Sequence, residues 1–591
     1  MFSLRKALSG GTLVGVALLG LAVVASAPAA SRQEATLRSF VTAAHGDAQQ
    51  LRGVERAGAL SPHVSGTSES LVQALRIAER GIGADSYRIE HAVTGESVSV
   101  TLASAWHAKG FTGKGVKVAV IDGGFAGLAD RQASGDLPAN VITQDYCGGE
   151  LTTASEHGAA VAEIVHEMAP EAQLYLVCIA SGSDFEAAVA YAKAQGIHVI
   201  NFSAGWEGPF RNDGTDRYSA IVADAKASGI LWVNSAGNEG DTHWAGSYNP
   251  GGDSVHDWSP SGDEGNTFIW PNDSEICGFL RWDEWPNGVS DFDLALVHSG
   301  SNTLLAISEE EQTGSQPPFE AMCYGQSSGS DLRVYWAIVG YRVSTAPQLD
   351  LVSWSPPLEY SVPAGSIAAP ATSASALAVG ALCWQSRELE SYSSQGPTID
   401  GRLKPDIVGH DSVSSATYGA FDGSCPSGFA GTSASSPEVA GAAALVKQAY
   451  PAYGADQLKQ YLMRTARDLG TPGLDNAHGA GELQLPAPPD VVAPAAKALP
   501  SVGRRGATVK LLASVSDDSG KVSVVEYVKL GARTIATIRR AGFVAATSAR
   551  TVATAWKAPA KAAQGSYRHC VRVTDRSGNA SSTSCAKLVL R

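Results

Sequence analysis

The sequence predicts an α/β fold: a mostly parallel sheet flanked by helices, with an inserted antiparallel β-domain and a C-terminal β-sandwich. Three observations predict it. Short β-branched runs alternate with helical stretches on both sides of residues 250–364. Inside that interval helical periodicity fades, and Trp258, Trp270, Trp282, Trp285, Trp336 and Trp354 punctuate short strands. After a proline-rich linker, PAPPDVVAPAAKALP, the remaining chain alternates short strands with SDDSG and DRSGN turns.

In chain order, residues 1–29 read as a secretory signal peptide. Arg5 and Lys6 precede an apolar run from Thr12 to Ala25, and Ala27-Pro28-Ala29 offers a small-residue cleavage site. No later run is long and apolar enough to span a bilayer, so the mature chain is expected to be secreted, extracellular or periplasmic, with no transmembrane segment. Residues 30–100 are polar and helix-prone before turning β-like at SVSVTLA, and are expected to form a propeptide or N-terminal extension.

Residues 101–249 and 365–487 carry the βα texture. FTGKGVKVAVIDGGF is a glycine turn followed by an apolar strand ending in an acid. AQLYLVCIA, a helix near Phe185–Gln195, HVINFSAG, a helix near Tyr218–Ser228 and ILWVNSAGNEG follow. The texture resumes with SALAVGALCW, RLKPDIVG and helices near 437–450 and 456–466. Ligand sites in such sheets gather at the carboxyl ends of strands, where Asp122, Ser203 and Asn238 fall. Within FAGTSASSPEVAGAAALV, Ser436 is placed to cap a helix that has Pro437 in its first turn. The tryptophans of the 250–364 insert are expected to fill its own core. Residues 491–591 are expected to form an Ig-like or fibronectin-like β-domain.

At 591 residues the chain is long enough for two to four domains, and 44% apolar with 17% charged residues suits a folded protein. Charge is unevenly spread. From residue 491 onward 17 Lys+Arg oppose 4 Asp+Glu, a balance of +13. Without Arg5 and Lys6 the net charge moves from −14 to −16, so residues 30–490 carry −16 − 13 = −29. The basic tail is a candidate to bind a polyanionic or cell-envelope ligand. No P-loop or dinucleotide pattern stands in the required context, and no nucleic-acid partner is expected. Eight cysteines in an exported chain point to disulfides. Pairing sequence neighbours gives Cys147–Cys178, Cys277–Cys323, Cys383–Cys425 and Cys570–Cys585, although spacing does not decide connectivity. The absence of any CxxC pair argues against a zinc ribbon.

Asp122, His157 and Ser433 appear in that order, each in a glycine-flanked setting. Acyl transfer needs a nucleophile, a base for its proton and a carboxylate to fix the base's tautomer. Read singly, the aspartate could end a strand, the histidine could be structural and the serine could sit at a helix start. Together they point to hydrolysis. VAVIDGG, HGAAVAEI, INFSAG, VNSAGNEG, YSSQGPTIDGRLKPDI and GTSASSPEVAGAAALV resemble the subtilisin-like serine peptidases from about Thr112 to Arg467, the insert excepted.

The resemblance implies a protein or peptide substrate, with Ser433 as nucleophile, His157 as general base and acid, and Asp122 as its orienting carboxylate. It implies Asn238 as an oxyanion donor, Ser203, Ala204 and Gly205 as the strand edge that receives the substrate, and Ser235, Ala236 and Gly237 as a wall of the specificity pocket. Gly123 and Ala159 depart from the family pattern, which usually carries a hydroxyl at both positions. The sedolisins share GTSASSP but use a glutamate base and an oxyanion aspartate; His157 and Asn238 occupy those roles here, which implies neutral-to-alkaline activity. No cofactor is expected. The short MAPEAQ link lacks the loop that often builds a calcium site in the family. Calcium elsewhere needs only clustered oxygens, and the sequence identifies no such site. A catalytically inactive binding protein on the same scaffold is the alternative reading, and an esterase is disfavoured by the absence of GxSxG. His166-Glu167 does not form HExxH, and His243, His256 and His410 are expected at the surface or in the core.

Overall fold

The structure is a computed structural model and describes residues 93–343, 346–563 and 565–591. The expected signal peptide and all but the end of the expected pro-segment lie outside the described residues. The chain divides after Pro486 into two compact units.

In the first unit, α1 (Ser97–Val100) and α2 (Ala103–His107) precede the sheet. Then come β1 (Lys117–Asp122), α3 (Leu128–Ser134), β2 (Ile142–Asp145), α4 (His157–Met168), β3 (Gln173–Cys178), α5 (Gly182–Gln195), β4 (Val199–Phe202), α6 (Arg217–Ala227) and β5 (Leu231–Ser235). Eight further strands are β6 (His243–Ser247), β7 (Asn266–Trp270), β8 (Ser274–Trp282), β9 (Asp291–His298), β10 (Thr303–Ser308), β11 (Phe319–Gln326), β12 (Leu332–Arg342) and β13 (Gln348–Trp354). After them lie β14 (Ala376–Cys383), β15 (Ile407–Asp411), α7 (Thr432–Ala449) and α8 (Ala455–Thr465).

Seven strands form one sheet in the order β15-β14-β5-β4-β1-β3-β2, every neighbouring pair parallel. Both faces are covered, so its central strands are continuous apolar runs rather than alternating ones. Val118 and Val120 face the side packed by α4, α7 and α8. Ala119 and Ile121 face the side packed by α5 and α6. Among the described residues no helix is long and apolar enough to cross a membrane.

Two local expectations are corrected. SVSVTLA is not β-like: it forms α1 and the turn into α2. The period-two pattern of Val98, Val100 and Leu102 misled, because none of those three is buried, whereas Ser97 and Thr101, one helical turn apart, are. Thr101 donates both its N–H and its hydroxyl to the Ser97 carbonyl, at 3.2 and 2.6 Å, closing that turn. Packing thus overrides β-propensity. The second correction concerns Ser436, which is not a helix cap. α7 begins at Thr432 with Gly431 as its N-cap, and Pro437 lies inside the helix. Gly431 has φ +110°, a conformation that favours glycine, and this lets the chain enter the helix one turn earlier than the proline suggests.

The eight inserted strands form two antiparallel sheets, β10-β9-β12-β7 and β11-β8-β13-β6. Trp244, Trp258, Trp270, Trp282 and Trp336 are buried together between them. Trp354 is half-buried against Phe279. A buried charge cluster joins this insert to the parallel sheet's own loops. Arg281 on β8 donates to Glu207 at 2.6 Å and to Asp350 at 2.8 Å, and Asp350 also meets His243 at 3.2 Å.

The second unit, Ala487–Arg591, has a three-stranded sheet of Ala495–Leu499, Thr508–Ser516 and Arg550–Lys557. Its other sheet contains Ser501–Gly503, Ser584–Leu590, Tyr567–Asp575, Lys521–Leu530 and Arg533–Arg539, with Val544–Ala545 paired to Lys521–Leu530. Burial alternates along Thr508–Ser516 and Lys521–Leu530, as expected of strands with one face on a core. All four neighbouring cysteine pairs are disulfides, Cys147–Cys178, Cys277–Cys323, Cys383–Cys425 and Cys570–Cys585.

Candidate active site

Asp122 is the last residue of β1, Ser203 follows β4 and Asn238 lies just past β5. Because all strands run the same way, these residues share the carboxyl edge of the sheet. α4 brings His157 to that edge. The approach is tight: a Cβ on Gly158 would lie 2.4 Å from the Gly124 carbonyl oxygen and 2.8 Å from the Asp122 Cβ. Only glycine lets the first turn of α4 sit there, and its N–H donates to Gly124 at 3.1 Å.

Asp122 and His157 are buried and paired, with Nδ1 2.9 Å from the carboxylate Oδ2. The other carboxylate oxygen accepts the Gly123 N–H at 2.8 Å. The carboxylate holds the proton of a neutral imidazole on Nδ1, so Nε2 is the ring nitrogen with the lone pair. Phe429 packs edge-on to the ring at 5.8 Å.

Ser433 is the second residue of α7, where backbone N–H groups lack an intrahelical acceptor and the helix dipole is positive. Its hydroxyl donates to the Ser203 carbonyl at 3.1 Å. Ser203 in turn donates its hydroxyl to the Ser433 carbonyl at 3.1 Å and accepts from Asn201 at 2.9 Å. Thr432 fixes Asn238: its N–H and hydroxyl both donate to Oδ1, at 3.0 and 2.9 Å. Two donors on one side assign that atom as oxygen, and the amide Nδ2 therefore points to the other side. The Thr432 hydroxyl itself accepts the Gly237 N–H at 3.3 Å.

The remaining expected residues are placed as follows. Ser203, Ala204 and Gly205 are buried; the Ala204 carbonyl accepts from Asn234 at 3.1 Å, and Trp206 N–H bonds Ala369 at 2.7 Å. Ser235, Ala236 and Gly237 are also buried, with Ala236 bonded through both backbone groups to Val379 and Ala368. His243, His256 and His410 are all core residues. His410 sits between Glu438 and Glu482; burial opposes its charge, but the two carboxylates raise its pKa to about 9.

Sequence reasoning missed Asp411 and Tyr392. The buried Asp411 carboxyl accepts the Gly431 N–H at 2.9 Å and the Tyr392 hydroxyl, anchoring the turn that presents Thr432 and Ser433. Burial, then the neighbouring Glu390, push the Asp411 carboxyl well above its usual range. Tyr392 opens the quoted YSSQGP stretch, but nothing local showed what it would bond.

The Subtilase family model matches residues 113–272 and 360–481. The minor extracellular protease Vpr of Bacillus subtilis (strain 168) is 26% identical over 427 residues, 64% of this chain and 51% of that protein. Subtilisin Savinase of Lederbergia lenta is 35% identical over 153 residues, 24% of this chain and 55% of that protein. The chain thus spans about half the length of these curated relatives. The Clostridium perfringens CspB protease structure aligns at a TM-score of 0.47 and 14% identity, covering 66% of this chain and 97% of that one. The family match pauses across most of the inserted strands and resumes in time to include Ser433, and on that two-part match the chain belongs to the subtilase family.

Proposed function

We propose that this protein is an exported serine endopeptidase that hydrolyses peptide bonds through an acyl-enzyme on Ser433. The observation that carries the reading is the buried Asp122–His157 pair at 2.9 Å, in a chain of this family with Ser433 in the first turn of α7. The Ser433 hydroxyl turns from the Ser203 carbonyl to His157 Nε2, gives up its proton there and attacks the substrate carbonyl carbon. The oxyanion receives hydrogen bonds from Asn238 Nδ2 and the Ser433 N–H. His157 then protonates the leaving amine, and water, activated by the same nitrogen, releases the acyl group.

Residues 203–205 act as the edge to which an extended substrate adds as a strand, and Ser235, Ala236 and Gly237 form a wall of the specificity pocket. Residues 1–29 direct export, which agrees with the extracellular relative, and residues 30–100 act as a pro-segment. The basic second unit retains the enzyme on a polyanionic or cell-envelope surface. Retention of the full chain on an anionic matrix should then weaken steeply with salt; salt-independent behaviour counts against it.

Labelling with a fluorophosphonate probe tests the enzymatic reading. Covalent labelling of the mature protein, lost in Ser433→Ala and His157→Ala, is expected. An unlabelled wild type that behaves like Ser433→Ala would leave a binding protein on a silent scaffold.

A further inference from the structure

The second unit is strongly basic, yet its few acids converge. Residues 487–591 contain 17 Lys+Arg and only five acidic residues, Asp490, Asp517, Asp518, Glu526 and Asp575. One carboxylate oxygen from each of Asp490, Asp517 and Asp518 lies within 4.8 Å of the other two. Three like charges at that spacing repel unless something positive lies among them. Among the described residues neither Asp490 nor Asp517 forms an ion pair.

Asp517 is 6% exposed, and its Oδ1 has no hydrogen-bond partner, while Oδ2 accepts the Ser519 hydroxyl. A buried carboxylate oxygen with nothing bonded to it is costly to maintain. Its backbone is fixed: the Asp517 N–H donates to Ala546 at 2.8 Å, and its carbonyl accepts from Gly520 at 3.3 Å. The neighbourhood repeats the pattern. Asp575 is 3% exposed, its Oδ1 accepts the Asn579 N–H at 2.8 Å, and its Oδ2 also has no partner. Asn579 reaches across to donate to the Asp490 carbonyl at 2.8 Å. Asp490 keeps only ordinary acceptor duties, from the Val492 N–H at 3.1 Å and the Ser577 hydroxyl at 3.4 Å. The entry segment, the 517–520 turn and the 575–579 turn therefore present oxygen at one end of this unit.

We propose that Asp490, Asp517 and Asp518 form a calcium site in the C-terminal unit. The donors are all hard oxygens, which suit Ca²⁺ or Mg²⁺ rather than a thiolate- or imidazole-seeking metal. A site assembled from separate segments with irregular spacing suits the larger, more permissive ion, with backbone carbonyls and water completing six to eight ligands. The bound ion links the start of the unit to the 517–520 turn of its sandwich and neutralises the converging charge.

The test uses the full chain carrying Ser433→Ala to prevent self-digestion, stripped with chelator and titrated with CaCl₂ by calorimetry. A site with a dissociation constant of about 10⁻⁴–10⁻³ M is expected, as in other extracellular modules. Asp518→Asn is the main variant because Asp518 is exposed and its amide cannot disturb a core. It should weaken that site at least about ten-fold, since affinity follows the number of charged ligands. Asp517→Asn should do the same, with circular dichroism showing the fold retained. The proposal is overturned if the chain binds no Ca²⁺ at about 10 mM, well above the affinities of such modules. It is equally overturned if both variants keep every wild-type site at unchanged affinity, or if Mg²⁺ is preferred.

Discussion

Ser203 and Ser433 are hydrogen-bonded to each other twice, each hydroxyl donating to the other residue's backbone carbonyl at 3.1 Å. The second residue that explains this is Pro437. Four positions after Ser433, it has no N–H to give the Ser433 carbonyl, so α7 has a gap in its ladder at its N-terminal end. Ser203 fills the gap and, by doing so, ties the end of β4 to the first turn of α7.

Ser203→Ala should therefore cost about 1–3 kcal/mol, the usual range for a buried acceptor left unmade. Pro437→Ala restores an N–H at the right place. In the double variant the loss should be smaller than the sum of the two single effects. Urea unfolding of all four proteins on a Ser433→Ala background, which keeps the Ser433 carbonyl, measures the coupling. Additivity within about 0.5 kcal/mol would mean that the two donors do not serve the same carbonyl.

Thr432 should act on catalysis without touching substrate. Its hydroxyl and N–H hold the oxygen of Asn238, and with it the direction of the amide's hydrogens. Asn238→Ala should lower kcat by about 10²–10³ with little change in KM, the usual effect of losing one oxyanion donor. Thr432→Val removes the hydroxyl alone and should lower kcat less, because the N–H still holds Oδ1. Steady-state kinetics on a peptide substrate separates the cases. A KM effect in Thr432→Val with kcat intact would argue for a role in binding instead.

Asp122→Asn keeps the shape of the pair but offers Nδ1 an amide. If that amide donates, the neutral ring carries its proton on Nε2 and cannot take one from Ser433. A fall of about 10⁴ in kcat is expected. Proton NMR of the imidazole region reads the tautomer directly. Retained activity with an inverted tautomer would remove Asp122 from the orienting role.

How much of this site the sequence disclosed follows from the range of the forces involved. Strand ends at Asp122 and Asn238 were legible because a parallel sheet buried on both faces must be written as apolar runs, and those runs stop where the side chains change. α5 and α6 were legible as helical stretches between those runs, although the caps that start them, Ser181 and Asp216, were not read. The start of α7 was misplaced because Pro437 is a strong local signal for a first turn, whereas the true cap depends on Asp411, 20 residues away, holding the Gly431 N–H. SVSVTLA failed for the same cause: alternation was present, but the partner that decides burial is elsewhere in the chain. The cluster of Arg281, Glu207, Asp350 and His243 was invisible, since its members are separated by up to 143 positions (350 − 207).

Glu163, on the same helix as His157, should make stability pH-dependent. Burial raises its carboxyl from 4.5 to about 7, against the lowering effects of Thr417, Arg131 and the Ala416 N–H. Between those two values the folded chain holds a proton that the unfolded chain has lost, so stability falls as pH rises from about 4.5 to about 7 and levels off above. Glu163→Gln retains an acceptor for Thr417 and Ala416 but does not titrate. The wild type should lose up to about 3 kcal/mol relative to that variant across the window, at 1.36 kcal/mol per pKa unit. Denaturation at several pH values on the Ser433→Ala background measures the difference. Parallel curves for the two proteins would show that Glu163 is ionised throughout.

Arg281 should matter both to stability and to substrate binding, although it belongs to the insert. It is buried between Glu207 and Asp350, and although burial opposes ionisation, Arg281 and then His243 hold the Asp350 carboxyl well below its usual range. Arg281→Met leaves the buried Glu207 carboxylate without its ion-pair partner and Asp350 with only His243, and a loss of about 3–5 kcal/mol is expected. Glu207 stands two positions after Gly205, at the end of the segment proposed to receive substrate. Freeing it should therefore raise KM for a peptide substrate more than it lowers kcat. The triple variant Arg281→Met, Glu207→Gln, Asp350→Asn removes all three charges and should recover much of the stability, because the penalty lies in the uncompensated charge rather than in the lost pair. If the triple variant is as unstable as Arg281→Met, the arginine's packing, not its charge, holds the insert to this segment.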